Sequence, residues 1–248
     1  MKYTIYNIIV FLLPKRVINF LGSLKIIENT RDWLFDRNLV LKPVNLISWN
    51  NIEFYFRAPL QILRKAKTKG IENSLTRSII HLINVDSNVI DIGSNYGFIT
   101  LACSKYIQNG GGKVFSFECD VKYFKNLESS ILINEFNNIQ LFNEFVGKAN
   151  IGNTKTVDSL IFTECKSIDL IKIDTDGTDL ECLEGCRQII GAYNPIIVIE
   201  INDNFDQITK FLSKSGYEFF YDQYLNKIDL KSTKMIPNLF SSKYSLKK

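Results

Sequence analysis

Polar residues with the chemistry to bind a ligand follow several short apolar runs, at the points where strands would end. The first group is Asp91–Gly97, in which Gly93 and Gly97 flank Asn95. Glycines at a tight turn let a ligand approach the backbone, and the free N–H groups of the following helix can bind it. The segment lacks the GxGxxG spacing of dinucleotide-binding turns. Asn95, where a second glycine is common, favours a ligand with a charged head over a pyrophosphate on bare backbone.

Glu118 ends the next apolar run, which covers Lys113–Phe117. A carboxylate at this place can accept hydrogen bonds from the 2′- and 3′-hydroxyls of a ribose, and it repels a 2′-phosphate. A glycine turn after one strand and an acid after the next together indicate a ligand that contains adenosine.

Three carboxylates cluster where the run Leu170–Ile173 joins a helix: Asp174, Asp176 and Asp179. Thr178 and Glu181 have the spacing of a capping box that starts this helix. In a purely structural interpretation, one of these carboxylates caps the helix and another pairs with Lys172. A carboxylate here could also hold an ammonium group, coordinate a divalent cation or take a proton from a hydroxyl. Glu200 ends the next run and is expected to point into the same crevice.

Histidine and cysteine provide little further chemistry. His81 is the only histidine, so a metal site with two histidines is excluded, and its position before the first strand of the sheet favours a structural role. The five cysteines show no CxxC pair: Cys103, Cys119, Cys165, Cys182 and Cys186. An odd number without a framework spacing favours a reducing, cytoplasmic location and buried, apolar cysteines.

The composition is that of a globular protein. The chain has 248 residues, of which 46% are hydrophobic and 23% charged, so intrinsic disorder is excluded. A formal net charge of +4 is small for this length and gives no strong reason to expect a nucleic acid as partner.

The elements that position these residues follow from the alternation of apolar runs and amphipathic stretches after Asn88. Helices are predicted near 98–107, 121–134, 179–190 and 205–213, between short β-branched or aromatic runs. This alternation predicts a parallel, doubly wound sheet that is covered on both faces. Two last runs, Tyr217–Tyr221 and Pro237–Ser241, have no convincing helix between them and predict an antiparallel pair that closes the sheet edge.

The chain before this region is interpreted as an N-terminal extension over residues 1–84, followed by a domain over residues 85–248 with a basic C-terminal tail. The apolar stretch Ile5–Leu13 is too short to span a membrane, and no convincing signal cleavage site follows it. Residues 1–27 either form an amphipathic helix on a membrane surface or pack as an arm on the domain itself.

Taken together and in order, these strand-end motifs resemble the FkbM family of S-adenosylmethionine-dependent methyltransferases. The resemblance runs from about Asn88 to the strand at Asn238–Phe240, and its pieces are VIDIGSNYG at 89–97, FE at 117–118, TVDSL at 156–160, IKIDTDG at 171–177 and IVIE at 197–200. This chain differs from the family pattern at Cys119, where proline is usual, and at Asp176 and Asp179, where glutamate is usual.

The resemblance implies a Rossmann-like class I methyltransferase with a mostly parallel seven-stranded sheet and an antiparallel last strand. The methyl donor would bind at Gly93, Asn95, Gly97 and Glu118, Asp91 would support its methionine portion, and Asn143 is a candidate contact for the adenine edge. Asp174 or Asp176 would be the base, with Asp179 and Glu200 on the substrate side. The acceptor would be a hydroxyl of a sugar, glycan or small natural product, and the requirement for a divalent metal and the oligomeric state stay open.

Two other classes remain as alternatives. An NAD-dependent oxidoreductase would share the glycine turn and the acid, although GxGxxG and a hydride-transfer partner are missing. A non-catalytic module on a membrane surface would depend on residues 1–27.

Overall fold

The structure is a computed structural model that describes residues 44–202, 204–231 and 236–246. Residues Val44–Ala58, together with Ile62 and the chain that follows, form one compact unit. The predictions for residues 1–27 and for the last two lysines fall outside the described residues. The division of the chain at residue 84 stays a prediction, and within the described residues the segment before it shares a hydrophobic core with the sheet.

The strands of the described residues are β1 Val44–Trp49, β2 Ile52–Arg57, β3 Val89–Ile92, β4 Val114–Phe117, β5 Ile139–Phe142, β6 Phe145–Val146, β7 Thr154–Lys155, β8 Leu170–Ile173, β9 Ile196–Glu200, β10 Phe219–Tyr221 and β11 Asn238–Ser242. The helices are α1 Leu60–Thr68, α2 Asn73–Leu82, α3 Phe98–Ile107, α4 Val121–Ile133, α5 Val157–Ile161, α6 Asp179–Glu184, α7 Arg187–Tyr193 and α8 Phe205–Lys214. None of the helices that the structure describes is long and apolar enough to cross a bilayer.

Seven strands form the main sheet in the order β10-β11-β9-β8-β3-β4-β5. The pairs β9–β8, β8–β3, β3–β4 and β4–β5 are parallel, and β11 is antiparallel to both β9 and β10. The central strands β3, β4 and β8 are buried at every residue, as expected for a parallel sheet that is covered on both faces. The predicted α/β fold with one reversed strand is confirmed.

The hairpin β1–β2 covers one face of this domain and was not predicted as a hairpin. Its inward side chains alternate with exposed ones along both strands. Phe98, at the start of α3, packs edge-on against three of the inward aromatic rings, with centroid distances of 5.8 Å to Trp49, 5.4 Å to Phe54 and 5.6 Å to Phe56. The hairpin therefore completes the core on that side of the sheet.

The helix predicted over 179–190 is two helices, α6 and α7, with a break at Gly185 and Cys186. A β-carbon on Gly185 would overlap the backbone carbonyl of Gly147, so only glycine fits there. The buried carboxylate of Asp158, distant in sequence, accepts hydrogen bonds from the backbone N–H groups of Gln188 (2.8 Å) and Ile189 (3.1 Å). Asp158 therefore caps α7 from another helix, and local periodicity could not reveal such a cap.

The five cysteines are free, and Cys103, Cys182 and Cys186 are buried as expected. Cys119 is exposed instead, because it lies in the loop that follows β4 rather than in a core element. His81 is an exposed residue in the last turn of α2, away from the strand ends described below.

Candidate active site

The turn after β3 is shaped by two glycines that no other residue could replace without distortion. Gly93 and Gly97 have φ angles of +77° and +84°, in the region that favours glycine. A β-carbon on Gly93 would overlap the backbone carbonyl oxygen of Asp174, and one on Gly97 would overlap the side chain of Leu127. Asn95, between them, is also left-handed, at +53°. The turn is thus pressed directly against the end of β8.

Glu118 is held at the end of β4 by two backbone amides. Its carboxylate accepts hydrogen bonds from the N–H of Asn95 (2.6 Å) and the N–H of Asp120 (2.8 Å), one at each oxygen. Burial raises the pKa of Glu118, while these two hydrogen bonds oppose the rise and the charges of Asp120 and Asp91 add to it. Each carboxylate oxygen has a second acceptor position. Glu118 can therefore still accept hydrogen bonds from two ligand hydroxyls.

A cavity of about 210 Å³ lies between the glycine turn, the end of β4 and the loop after β8. Five residues singled out from the sequence line it: Gly93, Asn95, Glu118, Asp174 and Asp176. Its wall also includes residues that the sequence did not indicate: Cys119, Asp120, Tyr123, Glu144, Phe145, Thr175 and Thr178. All of them lie within a few residues of a predicted strand end, which is the signal that could have found them.

Asn143 does not line this cavity, although its neighbours Glu144 and Phe145 do. Its side-chain N–H groups donate to the backbone carbonyls of Glu118 (2.8 Å) and Cys119 (3.1 Å). The predicted contact with an adenine edge stays a prediction. In the structure, the Asn143 side chain holds the loop that begins at Glu118 by these two hydrogen bonds.

Lys172 is the buried centre of the site and was considered from the sequence only as an ion-pair partner. Asp91 and Lys172 are neighbours in the register of β3 and β8, and the Lys172 ammonium lies 3.2 Å from an Asp91 carboxylate oxygen. It also lies 3.4 Å from Asp174 and donates to the carbonyl of Gly93 (3.1 Å). A charged residue in an otherwise apolar strand is a signal for such a pair, because an unpaired buried charge is costly.

Opposing effects act on Lys172. Burial lowers its pKa, but the charges of Asp91, Asp174 and Glu72 outweigh burial and raise the pKa above its usual range. Asp91 itself is buried and also accepts a hydrogen bond of 2.6 Å from the hydroxyl of Thr100. Asp91 is therefore connected to the glycine turn by Lys172, which contacts both. The predicted support of a methionine group by Asp91 stays a prediction.

Three of the carboxylates singled out from the sequence come together. Asp174, Asp176 and Glu200 each offer an oxygen, and the three oxygens lie within 4.8 Å of one another. Burial, the charge of Asp174 and a hydrogen bond to the Asp174 side chain raise the pKa of Glu200 to about 7. Asp176 has a φ angle of +52°, in the left-handed region that aspartate adopts more readily than most residues.

Asp179 is buried and binds the loop that follows β8. Its carboxylate accepts hydrogen bonds from the N–H of Thr175 (2.8 Å), the hydroxyl of Thr175 (3.0 Å) and the N–H of Gly177 (3.3 Å). The predicted capping box is absent from α6: Thr178 is its N-cap residue but makes no side-chain cap, and its hydroxyl instead donates to Thr175. Asp179, rather than a capping box, fixes the loop between β8 and α6. The predicted contact of Asp179 with substrate stays a prediction.

Comparisons with known proteins find relatives of this fold. Residues 123–219 match the family model described as the methyltransferase FkbM domain. The methyltransferase FkbM from Methylobacillus flagellatus KT shares the fold at 19% identity and a TM-score of 0.51, over 64% of this chain. This chain spans only 44% of that protein's length. TYW2 from P. horikoshii, in complex with MeSAdo, has 16% identity and a TM-score of 0.50, over 98% of this chain and 100% of its own.

No curated protein sequence matches the chain significantly. The fold and the family model nevertheless agree with each other and with the strand-end motifs. The resemblance noted from the sequence is confirmed: residues 123–219 match the methyltransferase FkbM domain model, and the α/β fold is similar to that of a methyltransferase FkbM.

Proposed function

We propose that this protein is an S-adenosylmethionine-dependent O-methyltransferase whose acceptor is a hydroxyl of a sugar, glycan or small natural product. The observation that supports this most directly is that Glu118 and Asp174 line the same cavity, at the carboxyl ends of β4 and β8. Glu118 is suited to bind the hydroxyls of a ribose, and Asp174 is suited to contact an acceptor hydroxyl. A donor that enters this cavity would place its reactive methyl group between them.

The donor half of the site fits an adenosine-containing methyl donor. Glu118 accepts from the ribose hydroxyls, and the Gly93 turn lines the same cavity without a side chain. The structural relative TYW2 is in complex with MeSAdo. S-Adenosylmethionine supplies an electrophilic methyl group on a sulfonium ion when bound. The protein's own part is to align the acceptor oxygen with that group and to exclude water.

The acceptor half supplies a proton acceptor. Asp174 and Asp176 both line the cavity. Either carboxylate can therefore take the proton that the acceptor hydroxyl loses. Asp174 is the better placed, because Lys172 and Glu200 both contact it and fix its position. Glu200, hydrogen-bonded to Asp174, provides a second carboxylate that can share the proton.

The same three carboxylates have the oxygen ligands that Mg²⁺ and Ca²⁺ prefer, and Asp174, Asp176 and Glu200 would hold such an ion. It would polarise the acceptor hydroxyl. We favour the proton-acceptor role, because the Lys172 ammonium 3.4 Å from Asp174 repels a second cation at that carboxylate.

The partner that this site suits is a small molecule or a saccharide rather than a nucleic acid, since the crevice is rich in carboxylates. The odd number of cysteines supports a cytoplasmic location. A peripheral membrane contact through residues 1–27 stays a prediction.

Binding of S-adenosylhomocysteine, measured by calorimetry, tests the donor assignment. We expect Glu118→Ala to weaken this binding at least about 100-fold, because two hydrogen bonds to a charged acceptor are lost. Glu128→Ala, which removes an exposed carboxylate from α4, is the matched control and should bind like the wild type. Circular dichroism verifies that both variants are folded.

Equal affinity of wild type and Glu118→Ala would remove Glu118 from the donor site. Titration with NAD in the same instrument separates the alternative class of enzyme: a wild-type protein that binds NAD and ignores S-adenosylhomocysteine is an oxidoreductase candidate and contradicts the proposal.

A further inference from the structure

Three buried hydroxyl groups form a chain that ends at Asp91. They belong to Ser94 in the glycine turn, Ser116 on β4 and Thr100 on α3. None of these three residues lines the cavity. A buried hydroxyl group costs free energy unless it is hydrogen-bonded, so the partners of these groups indicate their role.

The number of hydrogen atoms fixes the direction of this chain. Thr100 donates to one carboxylate oxygen of Asp91 (2.6 Å), because a carboxylate can only accept. The single hydroxyl hydrogen of Thr100 is then used, so Ser116, 3.0 Å away, must donate to Thr100. For the same reason Ser94, 2.6 Å from Ser116, must donate to Ser116, and the backbone carbonyls of Asp91 and Phe117 are its longer contacts, at 3.1 Å each. All three hydrogen bonds point from the glycine turn towards the Asp91 carboxylate, so each one strengthens the next.

Asp91 connects the hydroxyl chain to Lys172. Its second carboxylate oxygen accepts no hydrogen bond from a described hydroxyl or backbone N–H, and it lies 3.2 Å from the Lys172 ammonium. The ammonium also lies 3.4 Å from Asp174 and donates to the carbonyl of Gly93 (3.1 Å). Its three hydrogens match these three acceptors. A rotation of the Asp91 carboxylate would remove one acceptor and release Lys172 from its position beside Asp174, which lines the cavity.

We propose that Thr100 and Ser116 are positioning residues for methyl transfer. By fixing Asp91 they hold Lys172 against Asp174, the carboxylate that takes the proton in the proposed methyltransferase function, on which this inference rests. Neither residue lines the cavity, so both act only through Asp91 and Lys172. The reaction depends on such support, because a reacting group that is misplaced by about 1 Å can lose about 100-fold in rate.

Four variants of the full chain test this proposal. Thr100→Val keeps the shape of the side chain and removes its hydroxyl group, whereas Thr100→Ser keeps the hydroxyl group. Ser116→Ala removes the donor to Thr100. Ser104→Ala is the matched control, because Ser104 is also buried on α3 and its hydroxyl donates to the Asn138 side chain (2.6 Å) instead of the chain that ends at Asp91. Circular dichroism verifies that the variants are folded.

Nuclear magnetic resonance measures the two supported groups directly, without an acceptor. One quantity is the rate at which the Lys172 ammonium hydrogens exchange with water, and the other is the resonance of the Asp174 carboxyl carbon. We expect Thr100→Val to raise the exchange rate at least about tenfold, because one hydrogen bond to a charged group is lost, and to move the Asp174 resonance. Ser116→Ala should change both quantities in the same direction by a smaller amount. Thr100→Ser and Ser104→Ala should leave both quantities as they are in the wild type.

A purely structural role of Thr100 would lower stability without moving the Asp174 resonance of the folded protein. Wild-type signals in Thr100→Val, or equal changes in Ser104→Ala, therefore overturn the proposal. If Thr100→Val does not fold, Ser116→Ala provides the same comparison with the control.

Binding of S-adenosylhomocysteine to the same proteins, measured by calorimetry, separates this outcome from a failure of the proposed function. Thr100→Val should retain that binding, because Glu118 and Asn95, which line the cavity, are unchanged. A wild type that does not bind S-adenosylhomocysteine contradicts the methyltransferase function whatever the resonances show. A wild type that binds it, combined with wild-type signals in Thr100→Val, overturns only the positioning role.

Discussion

At the scale of single residues, the site is a set of carboxylates whose behaviour is decided by one buried ammonium. Lys172 contacts Asp91, Asp174 and the carbonyl of Gly93, so it joins the glycine turn after β3 to the loop after β8. A buried charge of this kind costs free energy unless every partner is in place. Changes to the carboxylates around it are therefore expected to affect chemistry and stability in separable ways.

The exchange Asp174→Asn is expected to lower the rate of methyl transfer by about 10²–10⁴, the usual contribution of a positioned proton acceptor. Its affinity for S-adenosylhomocysteine should change little, since the ribose and the glycine turn are unaffected. Single-turnover kinetics with a radiolabelled methyl donor measure the rate, and Asp206→Asn, an exposed position on α8, is the control. A fully active Asp174→Asn variant would exclude it as the base, and a rate abolished by EDTA would assign the cluster to a metal instead.

Glu200 makes stability depend on pH. Its pKa is raised from the ordinary value of 4.5 to about 7, so its neutral form is favoured in the folded protein. Its contribution to stability is fully present below pH 4.5 and is lost as the pH rises through 7. Glu200→Gln, which stays neutral, should match the wild type near pH 4 and have the higher melting temperature at pH 8. A difference between the two proteins that does not vary with pH would contradict this assignment.

At the scale of elements, the strand-to-helix loops are fixed by side chains that come from elsewhere in the chain. Asp179 holds the loop after β8, Asn143 holds the loop after β4, and Asp158 on α5 caps α7. Periodicity predicted α3, α4 and α8 and their alternation with the strands of the main sheet, because each of these elements buries a regular apolar face. It failed at the break between α6 and α7, because a remote carboxylate and a backbone contact at Gly185 decide that break.

Asp158→Ala is expected to destabilise the protein by about 1–3 kcal/mol, because two buried N–H groups of α7 lose their acceptor. Asp158→Asn keeps one acceptor oxygen and should lose less. Urea denaturation of the full chain, followed by circular dichroism, gives both values. If the alanine variant is as stable as the wild type, water replaces the carboxylate and the cap does not contribute to the free energy of unfolding.

At the scale of the whole molecule, the hairpin β1–β2 belongs to the same compact unit as the main sheet. Composition and periodicity did not indicate this, because alternation over two short strands gives a weak signal without the partner surface. Phe98 is one of the contacts that join the hairpin to the rest of the unit, since it packs against Trp49, Phe54 and Phe56.

Phe98→Ala is therefore expected to lower the free energy of unfolding by about 3–5 kcal/mol, the usual cost of removing a buried phenylalanine. Leu132→Ala, at a side chain that is 71% exposed, is the control and should change stability by no more than about 0.5 kcal/mol. Because the hairpin and the sheet share a core, Phe98→Ala should shift one transition in urea. Two separate transitions would show that the hairpin unfolds independently.

The sequence by itself determined the class of fold and the strand ends at which we propose that ligands bind. Continuous apolar runs specify buried parallel strands, and the polar residues that follow them must lie at one edge of the sheet, so Gly93, Glu118 and Asp174 could be named in advance. The tertiary structure alone decided which polar groups meet. Strand register places Lys172 beside Asp91, and loop closure turns Asp179 inward while Glu200 approaches Asp174. These contacts join residues far apart in the chain, and only packing fixes their distances.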